Sequence, residues 1–389
     1  MKSVVDLFAG CGGLSLGFQD AGFDVVGAYE LWETAANCYE SNFDHPVFRL
    51  DLSDIPLTVE SIKAFAPDII IGGPPCQDFS HAGKRIENKR AALTEAYAQI
   101  VAEIRPLWFV MENVDRAQKS ETYSFARSIL KNAGYGLTEV ILGASFCGVP
   151  QRRKRFFCIG SLAMEDGFLT DYINQSLDTD EMTLRKYFGS TLDFEFYYRH
   201  PRNYSRRAVY SIDEPSPTVR GMNRPVPPGY PGHPKDAKAL DGTIRALSTL
   251  ERALIQTFPP DFKWVGSKTD MEQMIGNAVP VKQALFVAKA LAHQIKIEEG
   301  DVRPSIDYAL FHDWLNHTHA LSERAQRDTL SRLKRADAIC SIPSVPEAFY
   351  RFTLEQSDDF KSMSPAVKSQ LKRAVSLYSD YRKTQVAAV

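Results

Sequence analysis

The sequence lacks several features that would each mark a particular class of protein. Its six cysteines form no Cys-x-x-Cys pair and no cysteine–histidine spacing of the zinc type, which argues against a disulfide-stapled miniprotein and a zinc module. No apolar run approaches the ~20 residues of a membrane span. The chain passes from Met1-Lys2 into a strand-like segment without a signal-peptide pattern. These absences lead us to expect a reducing, intracellular compartment and no membrane contact.

An excess of charge of one sign is also missing. The 46 lysines and arginines nearly balance the 48 aspartates and glutamates, which leaves a formal net charge of -2. A chain that is basic throughout is therefore excluded, although a local basic patch is not. No internal repeat or low-complexity tract is present. With 389 residues, 44% of them hydrophobic, the chain is too long for one small core and predicts two or more domains.

Short apolar runs alternate with amphipathic stretches in the first third of the chain. This alternation predicts an α/β fold with a mostly parallel sheet and helices on both faces. The predicted strands are Val4–Phe8, Asp24–Tyr29, Ile69–Ile71 and Leu107–Met111, and the first two predicted helices are Leu14–Ala21 and Thr34–Ser41. In such sheets ligands bind at the carboxyl ends of the strands. Unusual residues follow those ends at Gly10–Gly13, Glu30, Pro74–Cys76 and Glu112-Asn113.

Two of these strand ends carry side chains suited to covalent and acid–base chemistry. Cys76 lies in the segment GPPCQDFS, where two prolines fix the backbone before it. It is either a nucleophile or a buried small hydrophobic residue, which is the commoner role of a free cysteine. Glu112 ends the next strong strand and is either a helix cap or a catalytic acid. A cysteine on a neighbouring strand end favours the catalytic interpretation.

Three further segments each allow a structural and a functional interpretation. The turn DLFAGCGG, from Asp6, is a plain tight turn or a loop whose N–H groups approach a ligand, and it is not the dinucleotide fingerprint. Glu30 is a solvated surface residue or a carboxylate for ribose hydroxyls. The run 151–155 has four positive charges, and Arg153 and Arg155 share one face if it is extended. Asn277 caps the next helix or reaches a ligand.

The character of the chain changes after about residue 165. The stretch Arg199–Lys235 contains eight prolines, three glycines and seven basic residues, with tyrosines interleaved, which predicts a loop-rich module. Its basic charge suits phosphate contacts, although a solvated basic loop has the same composition. Helical periodicity returns at Leu247–Phe258 and Val281–Lys296. From about residue 301 the pattern is mostly amphipathic helix.

Taken together, these segments resemble the DNA (cytosine-5)-methyltransferase family of the bacterial or phage restriction–modification type. The match covers about residues 3–295 and runs from the DLFAGCGG turn through Glu30, Asp51, GPPCQDFS, Glu112-Asn113-Val114 and the basic run to GNAVP at 276–280. A resemblance of this kind implies an S-adenosylmethionine-dependent, Rossmann-like fold with a smaller, loop-rich target-recognition domain. It implies a catalytic domain at 1–170, a recognition domain at 171–265 and a return segment at 266–300, followed by a helical extension of unknown role at 301–389.

The resemblance also assigns roles residue by residue. The catalytic residues it implies are Cys76 as nucleophile, Glu112 as the acid on the flipped cytosine, and Arg153 and Arg155 as supports of that base and the active-site loop. The S-adenosylmethionine pocket is implied to contain Asp6, Phe8, Ala9, Gly10, Cys11, Gly12, Gly13, Leu14, Glu30, Leu31, Asp51, Leu52, Pro75, Asn277, Ala278 and Val279. The DNA-binding residues it implies or favours are Gln77, Ser80, Thr218, Val219, Arg220, Asn223 and Arg224. Leu31 departs from the family pattern and would have to cover the adenine face.

The implied activity is methyl transfer from S-adenosylmethionine to carbon 5 of a flipped-out cytosine in duplex DNA, leaving S-adenosylhomocysteine. The expected enzyme is a compact, stand-alone cytoplasmic monomer that uses no metal and acts separately from a cognate restriction endonuclease. Three alternatives stay open: a tRNA cytosine-5 methyltransferase with the same core, a catalytically silent DNA-binding relative, and a dinucleotide-dependent oxidoreductase. The last lacks its glycine fingerprint and gives Cys76 no role.

Overall fold

The structure is a computed structural model of the chain. It describes residues 1–75, 84–162, 164–203, 205–299, 306–318, 321–340, 342 and 350–387, with only the backbone described for 84–92 and 385–387. The chain divides into two compact units, Met1–Ala290 and Leu291–Val389. The division falls earlier than the boundary that the sequence predicts at residue 300. The inner boundaries at residues 170 and 265 stay predictions.

A seven-stranded sheet organises the first unit. The strands of this unit are β1 (Ser3–Leu7), β2 (Asp24–Tyr29), β3 (Val47–Phe48), β4 (Ile69–Gly72), β5 (Trp108–Val114), β6 (Gly136–Gly143), β7 (Gln151–Arg152), β8 (Lys154–Ser161), β9 (Phe196–Tyr198), β10 (Val209–Ser211) and β11 (Ser216–Pro217). The sheet order is β3-β2-β1-β4-β5-β8-β6. Only β8 runs antiparallel to its neighbours, β5 and β6. The predicted mostly parallel sheet is therefore confirmed.

Helices connect the strands of the first unit. They are α1 (Gly13–Asp20), α2 (Glu33–Glu40), α3 (Ile55–Lys63), α4 (Lys84–Ile104), α5 (Glu121–Asn132), α6 (Thr170–Ser176), α7 (Leu184–Phe188), α8 (Thr249–Ile255), α9 (Lys268–Asn277) and α10 (Val281–Glu298), the last of which continues into the second unit. Ser248 and Ser267 begin α8 and α9 with capping boxes completed by Glu251 and Asp270. These reciprocal bonds satisfy N–H groups that a helix start otherwise leaves without a partner.

Buried apolar strands form the core beneath the edge of the sheet at which the carboxyl ends of the strands lie. Val5, Ile70 and Phe109 are fully buried in one cluster that joins β1, β4 and β5. Burying each such side chain contributes roughly 1.5–3 kcal/mol, so the strand positions are strongly fixed. The sequence predicts that the fourth strand ends at Met111, and this is wrong. The strand β5 continues to Val114 because antiparallel β8 pairs with it along its full length.

Apart from short strands, the described residues between α7 and α8 form loops, as the composition of Arg199–Lys235 predicts. Two short pairs occur there: β9 with β10, antiparallel, and β11 with β7, parallel. Asp236 braces the first pair, because its carboxylate accepts hydrogen bonds from the Ala208 and Val209 N–H groups at 2.8 and 2.9 Å. The second pair joins the predicted recognition region to the basic run at 151–155.

The described residues of the second unit are mostly helical. Its helices are α11 (Tyr308–Thr318), α12 (Glu323–Ile339), α13 (Tyr350–Gln356), α14 (Asp358–Lys361) and α15 (Pro365–Ala387). An aromatic cluster holds them together, with the Phe311 ring centroid 5.5 Å from those of both Tyr378 and Tyr381. Among all described residues, none of the helices is both long and apolar enough to cross a membrane.

Candidate active site

The Gly-rich turn after β1 has a backbone that few residues tolerate. Phe8, Gly10 and Gly12 have φ values of 58°, 57° and 94°. Gly13 starts α1, and a Cβ there would come within 2.3 Å of the Val279 carbonyl oxygen. Glycine is therefore required at Gly13 by close approach and is favoured at Gly10 and Gly12 by backbone conformation. Phe8 is a non-glycine residue in the left-handed region, and strained conformations of this kind are often retained at functional sites.

Glu30, at the end of β2, ties this turn to the next loop. One carboxylate oxygen accepts from the Gly10 N–H at 2.8 Å, and the other accepts from the Trp32 N–H at 2.7 Å. Burial raises the pKa of Glu30, and these backbone N–H groups oppose that rise. Each carboxylate oxygen can accept more than one hydrogen bond, so Glu30 can still receive hydroxyl groups from a ligand. The interpretation of Glu30 as a solvated surface residue is wrong.

Asp6 lies behind the turn at the inner end of a hydrogen-bond chain. Ser15 Oγ donates to Asp6 Oδ2 at 2.7 Å, the Tyr39 hydroxyl donates to Ser15 Oγ at 2.6 Å, and His45 Nε2 lies 2.6 Å from the Tyr39 oxygen. Burial raises the pKa of Asp6 to about 7; Ser15 opposes the rise, and the nearby Glu30 adds to it. Asp6 therefore supports the turn from beneath and does not line the cavity next to it.

A cavity of about 900 Å³ opens at the carboxyl ends of β1, β2, β4 and β5. Most residues of the predicted cofactor pocket line it: Phe8, Ala9, Gly10, Cys11, Gly13, Leu14, Glu30, Leu31, Asp51, Leu52, Pro75, Asn277, Ala278 and Val279. Gly12 does not, because it packs against Tyr39 and Phe43. The same cavity is lined by Glu112 and Arg155. A ligand site and a carboxylate–guanidinium pair therefore share one space.

Several lining residues were not predicted from the sequence. Trp32 lines the cavity beside Leu31, so an aromatic ring is present even though Leu31 interrupts the family pattern. The others are Tyr29, Ala35, Leu50, Gly73, Pro74, Leu93, Asn113, Val114, Gln273, Met274 and Gly276. The aromatic character of Trp32 was a usable signal, since a large ring next to Glu30 suits a flat ligand.

Asn277 does not cap the following helix. It is the last residue of α9, and its side-chain oxygen accepts from Gln273 Nε2 at 2.9 Å. The helix α10 begins only at Val281, after a break at Pro280. The cap interpretation of Asn277 is therefore wrong, and its side chain lies at the cavity wall.

Glu112 and Arg155 form a buried ion pair in the cavity. Arg155 Nε lies 2.8 Å from Glu112 Oε1, and the two side chains are only 14% and 10% exposed. Burial raises the pKa of Glu112, whereas Arg155 first and Arg153 second oppose that rise. A Cβ at Gly73 would come within 3.1 Å of Glu112 Oε2, and Asn113 Nδ2 donates to the Pro74 carbonyl at 3.1 Å. The end of β4 therefore lies against this carboxylate, which the structure places within a strand and not at a helix cap.

Arg153 and Arg155 have different surroundings. Arg153 is 1% exposed, and its guanidinium donates to the carbonyls of Val219, Gly276 and Ala278 at 3.1, 3.1 and 3.0 Å. Burial lowers its pKa, with Arg155 contributing in the same direction and Glu112 opposing. Arg153 thus joins the predicted recognition region to the cavity wall, while Arg155 faces the carboxylate.

A chain of side-chain amides runs beside Arg153 between the same two segments. The Val219 N–H donates to Gln151 Oε1 at 2.8 Å, and Gln151 Nε2 donates to Gln256 Oε1 at 2.7 Å. Gln256 Nε2 in turn donates to the carbonyls of Ile275 and Ala278. The only sign of Gln256 in the sequence is a polar residue in the apolar pattern Leu254–Phe258. Two parallel bridges therefore connect the predicted recognition segment to the cavity wall.

Comparison with known proteins decides the family. A family model described as C-5 cytosine-specific DNA methylase matches residues 2–293. The chain belongs to this family. The methylase is 54% identical to the Type II methyltransferase M.HindV of Haemophilus influenzae over 301 residues, covering 77% of this chain and 98% of that protein. It is 52% identical to M.HgiDI of Herpetosiphon aurantiacus over 309 residues, covering 78% and 99%.

Solved structures share the methylase fold. A DNA modification methyltransferase encoded within a prophage of E. coli is 25% identical, with a TM-score of 0.57, covering 76% of this chain and all of that one. The S. pombe Dnmt2 methyltransferase, at 19% identity, has a TM-score of 0.58 over 76% of this chain and 99% of that one. The predicted S-adenosylmethionine-dependent, Rossmann-like methyltransferase fold and the predicted enzyme class, DNA cytosine-5 methyltransferase, are confirmed.

The predicted DNA-binding residues of the methylase lie in different environments. Thr218 Oγ1 donates to the Arg152 carbonyl at 2.8 Å, and Val219 is buried. Asn223 Nδ2 donates to the Leu247 carbonyl at 2.7 Å and to Glu272 at 3.2 Å. Arg220 donates to the His200 carbonyl, while Arg224 is exposed. Their roles as DNA contacts stay predictions.

Three predicted site residues, Cys76, Gln77 and Ser80, lie outside the described residues. Pro75, which precedes Cys76 in the sequence, is described and lines the cavity. Within the described part of the methylase, no group of three or more histidine, cysteine, aspartate or glutamate side chains could hold a metal ion.

Proposed function

We propose that the methylase transfers a methyl group to carbon 5 of a cytosine flipped out of a specific duplex DNA sequence, through a covalent Cys76 adduct. The observation that supports this most is the shared cavity, in which the Gly-rich turn and Glu30 lie with the Glu112–Arg155 pair. A donor and a target base must meet in one water-excluding space for methyl transfer. The presence of the Gly-rich turn and the Glu112–Arg155 pair in one cavity supports the proposal.

The residues around the turn fit S-adenosylmethionine, which would supply a methyl group on a sulfonium centre. Gly10 has open space beside its Cα and permits close approach of a ligand to the backbone, and Glu30 can accept the two ribose hydroxyls. Trp32 and Leu31 offer apolar surface for an adenine ring. Phe8, Asp51, Leu52 and the segment 277–279 complete the wall, and Asp6 and Gly12 support it from behind.

The proposed chemistry begins with the Cys76 thiolate. Its sulfur forms a bond to carbon 6 of cytosine while the C5=C6 π electrons move to carbon 5. Glu112, as a carboxylic acid, gives its proton or a hydrogen bond to N3 and thereby stabilises the negative charge that addition creates. Burial favours the protonated form of Glu112, and Arg155 holds its carboxyl group in place.

Carbon 5 then forms a bond to the donor methyl carbon as that carbon's bond to sulfur breaks. The proton on carbon 5 leaves to solvent, and the electrons of that C–H bond restore the C5=C6 double bond. The restored double bond expels the Cys76 thiolate, and N3 returns to Glu112 the proton it received, so the enzyme is regenerated. Positive charge from Arg153 and Arg155 raises the thiolate fraction of a cysteine whose ordinary pKa is about 8.5.

Recognition is assigned to the segment around Arg220, with Gln77 and Ser80 contributing from the catalytic loop. Burial lowers the pKa of Arg220 to about 10, with Arg199, Arg202 and Arg224 adding to the effect. This concentration of cations suits phosphates and guanine, the base that arginine reads most often. Thr218, Val219 and Asn223 hold this segment in place through hydrogen bonds to Arg152, Gln151 and Leu247.

The methylase is proposed to act as the modification partner in a Type II restriction–modification system. The relatives M.HindV and M.HgiDI are named as Type II methyltransferases, and both are matched over nearly their full length. A separate endonuclease would then cut the same sequence in unmodified DNA, and methylation would protect the host. We infer a monomer acting in the bacterial cytoplasm, in a bacterial or phage-encoded system.

Bisulfite sequencing of plasmid DNA from cells that express the chain tests this function. Wild type is expected to protect cytosine at one fixed position in one sequence. Glu112→Gln, which removes the proton but keeps the shape, is expected to reduce methylation about 10²- to 10⁴-fold. Transfer of labelled methyl groups to purified tRNA but not to duplex DNA would favour the tRNA alternative. Absence of transfer to either would favour a silent DNA-binding relative.

A further inference from the structure

The helix α12 of the second unit has two sharply different faces. Its buried side carries Gln326, Thr329, Leu333 and Ala336. The residues at Arg324, Arg327, Ser331, Lys334, Arg335 and Ala338 are all exposed. At 3.6 residues per turn these six positions fall on one side of the helix, opposite the buried one. The exposed face, here called the α12 basic face, has four cations, and the exposed carboxylates Asp328 and Glu323 lie at its two borders.

The cations of the α12 basic face lack the ion pairs that other cations of this unit make. Among the described residues, no ion pair involves Arg324, Arg327 or Arg335. Lys334 Nζ lies 5.0 Å from the centroid of the Tyr308 ring. By contrast, other cations in the same unit face carboxylates, as in Arg351–Glu355 at 3.9 Å, Lys361–Asp358 at 3.7 Å and Lys372–Glu355 at 3.1 Å. The acids of α12 itself lie at the edge of the face, where Asp328 pairs with Arg332 at 3.8 Å.

A solvated helix face usually mixes both signs of charge, with partners three or four residues apart. Over the length from Arg324 to Arg335, which is about 16 Å at 1.5 Å per residue, the α12 basic face instead has four cations against one exposed carboxylate, Asp328. Duplex DNA carries one negative charge for every ~1.7 Å of its axis, so several phosphates fall within that length. The small side chains of Ser331 and Ala338 leave room for the helix to approach a backbone closely.

The second unit is an addition to what the relatives contain. The family model ends at residue 293, and M.HindV is matched over 98% of its own length by 77% of this chain. Nearly all of M.HindV is therefore accounted for without a segment that corresponds to the second unit. This favours an auxiliary role for the unit over a part in the transfer chemistry.

We propose that the α12 basic face is an additional duplex-DNA surface that binds phosphates without reading sequence. The proposal rests on the proposed function, in which duplex DNA is the substrate. Arg324, Arg327 and Arg335 make the phosphate contacts, and Lys334 adds charge at the edge of the face. The effect is to strengthen binding at any sequence and so to hold the methylase on DNA between recognition sites.

The test compares two full-length triple variants that lose the same net charge. R324Q/R327Q/R335Q removes the unpaired cations, whereas R351Q/K361Q/K372Q removes three ion-paired cations of the same unit. The dissociation constant of a 40-base-pair duplex is measured by fluorescence anisotropy from 50 to 300 mM KCl. Circular dichroism and thermal unfolding of both variants check the fold.

Each phosphate contact adds about 0.9 to the slope of log affinity against log salt, so the first variant should lose roughly 2 to 3 from that slope. The control should keep a slope close to that of wild type. Equal losses in the two variants would show a net-charge effect and overturn the proposal, as would an unchanged slope in the first. A wild type that neither binds nor methylates DNA would instead overturn the proposed function.

Discussion

At the scale of single residues, the carboxyl group of Glu112 is held between opposing influences. Burial in the cavity favours its neutral form, and the guanidinium of Arg155 at 2.8 Å favours its charged form. Because burial raises the pKa of Glu112, its carboxyl group keeps a proton to higher pH than an exposed glutamate does, which suits a general acid. Arg155 therefore controls the protonation of Glu112 as well as its position.

Replacing Arg155 with glutamine should change the pH profile of the methylase. Removal of the cation raises the pKa of Glu112 further, so the alkaline limb of kcat should move to higher pH. Loss of the guanidinium donors should also lower kcat at pH 7 on the order of 10²-fold. The control is Arg152→Gln, whose side chain pairs with Glu181 at 2.6 Å. An alkaline limb that stays in place, or moves to lower pH, contradicts this role.

Asp6 should make stability depend on pH. Its pKa is raised from 3.8 to about 7 in the folded chain, so the folded state holds a proton that the unfolded state loses. The associated stabilisation is complete at low pH and is lost as pH rises toward and beyond 7. Between pH 5 and pH 8 the free energy of unfolding of wild type should therefore fall, relative to Asp6→Asn, on the order of 2 kcal/mol.

Urea unfolding of wild type and Asp6→Asn at pH 5 and pH 8 measures this difference. Other titrating groups are shared by the two proteins and cancel when the two are subtracted. A difference that is constant with pH would show that Asp6 is ionised in both states, against the account.

At the scale of elements, the sequence pattern predicted the bounds of those strands and helices that depend mainly on nearby residues. The predicted strand Asp24–Tyr29 has the observed bounds of β2, and the predicted helix Thr34–Ser41 is one residue from α2 at each end. The strand β5 was predicted too short because its extension depends on pairing with β8, which the sequence does not reveal. The cap interpretation of Asn277 was wrong and Gln256 was missed for a related reason, because the roles of both residues depend on contacts that the local pattern does not show.

The bridge of Gln151, Gln256 and Arg153 should link cofactor affinity to the recognition segment. In Gln256→Glu a carboxylate would face the carbonyls of Ile275 and Ala278 with no proton to donate. We expect a loss of stability of about 1–3 kcal/mol. We also expect the dissociation constants for S-adenosylhomocysteine and for duplex DNA each to rise about tenfold, which is a loss of ~1.4 kcal/mol of binding free energy for each ligand.

Gln283→Glu provides the matched control for this bridge. Gln283 is also fully buried, and its amide donates to the Leu142 carbonyl at 3.1 Å, outside the bridge. It should lose similar stability and keep both dissociation constants, as measured by titration calorimetry. If both variants weaken ligand binding equally, the bridge has no special part in it.

At the scale of the whole molecule, the cavity brings together distant parts of the sequence. Most residues of the segments 8–14 and 273–279 line the same cavity, so the first unit closes only when its late segment returns to its beginning. The order of motifs in the sequence predicted this return. The start of the second unit within α10 was not predictable, because a continuous helix crosses that boundary without any change of composition.

Covalent trapping tests the central claim most directly. The methylase is incubated with S-adenosylmethionine and duplex DNA in which 5-fluorocytosine replaces cytosine, and products are separated under denaturing conditions. Fluorine cannot leave carbon 5 as a proton does, so the Cys76–carbon 6 bond should persist as a protein–DNA adduct that Cys76→Ser cannot form. Absence of any adduct from wild type, or an equal yield from Cys76→Ser, would contradict the account.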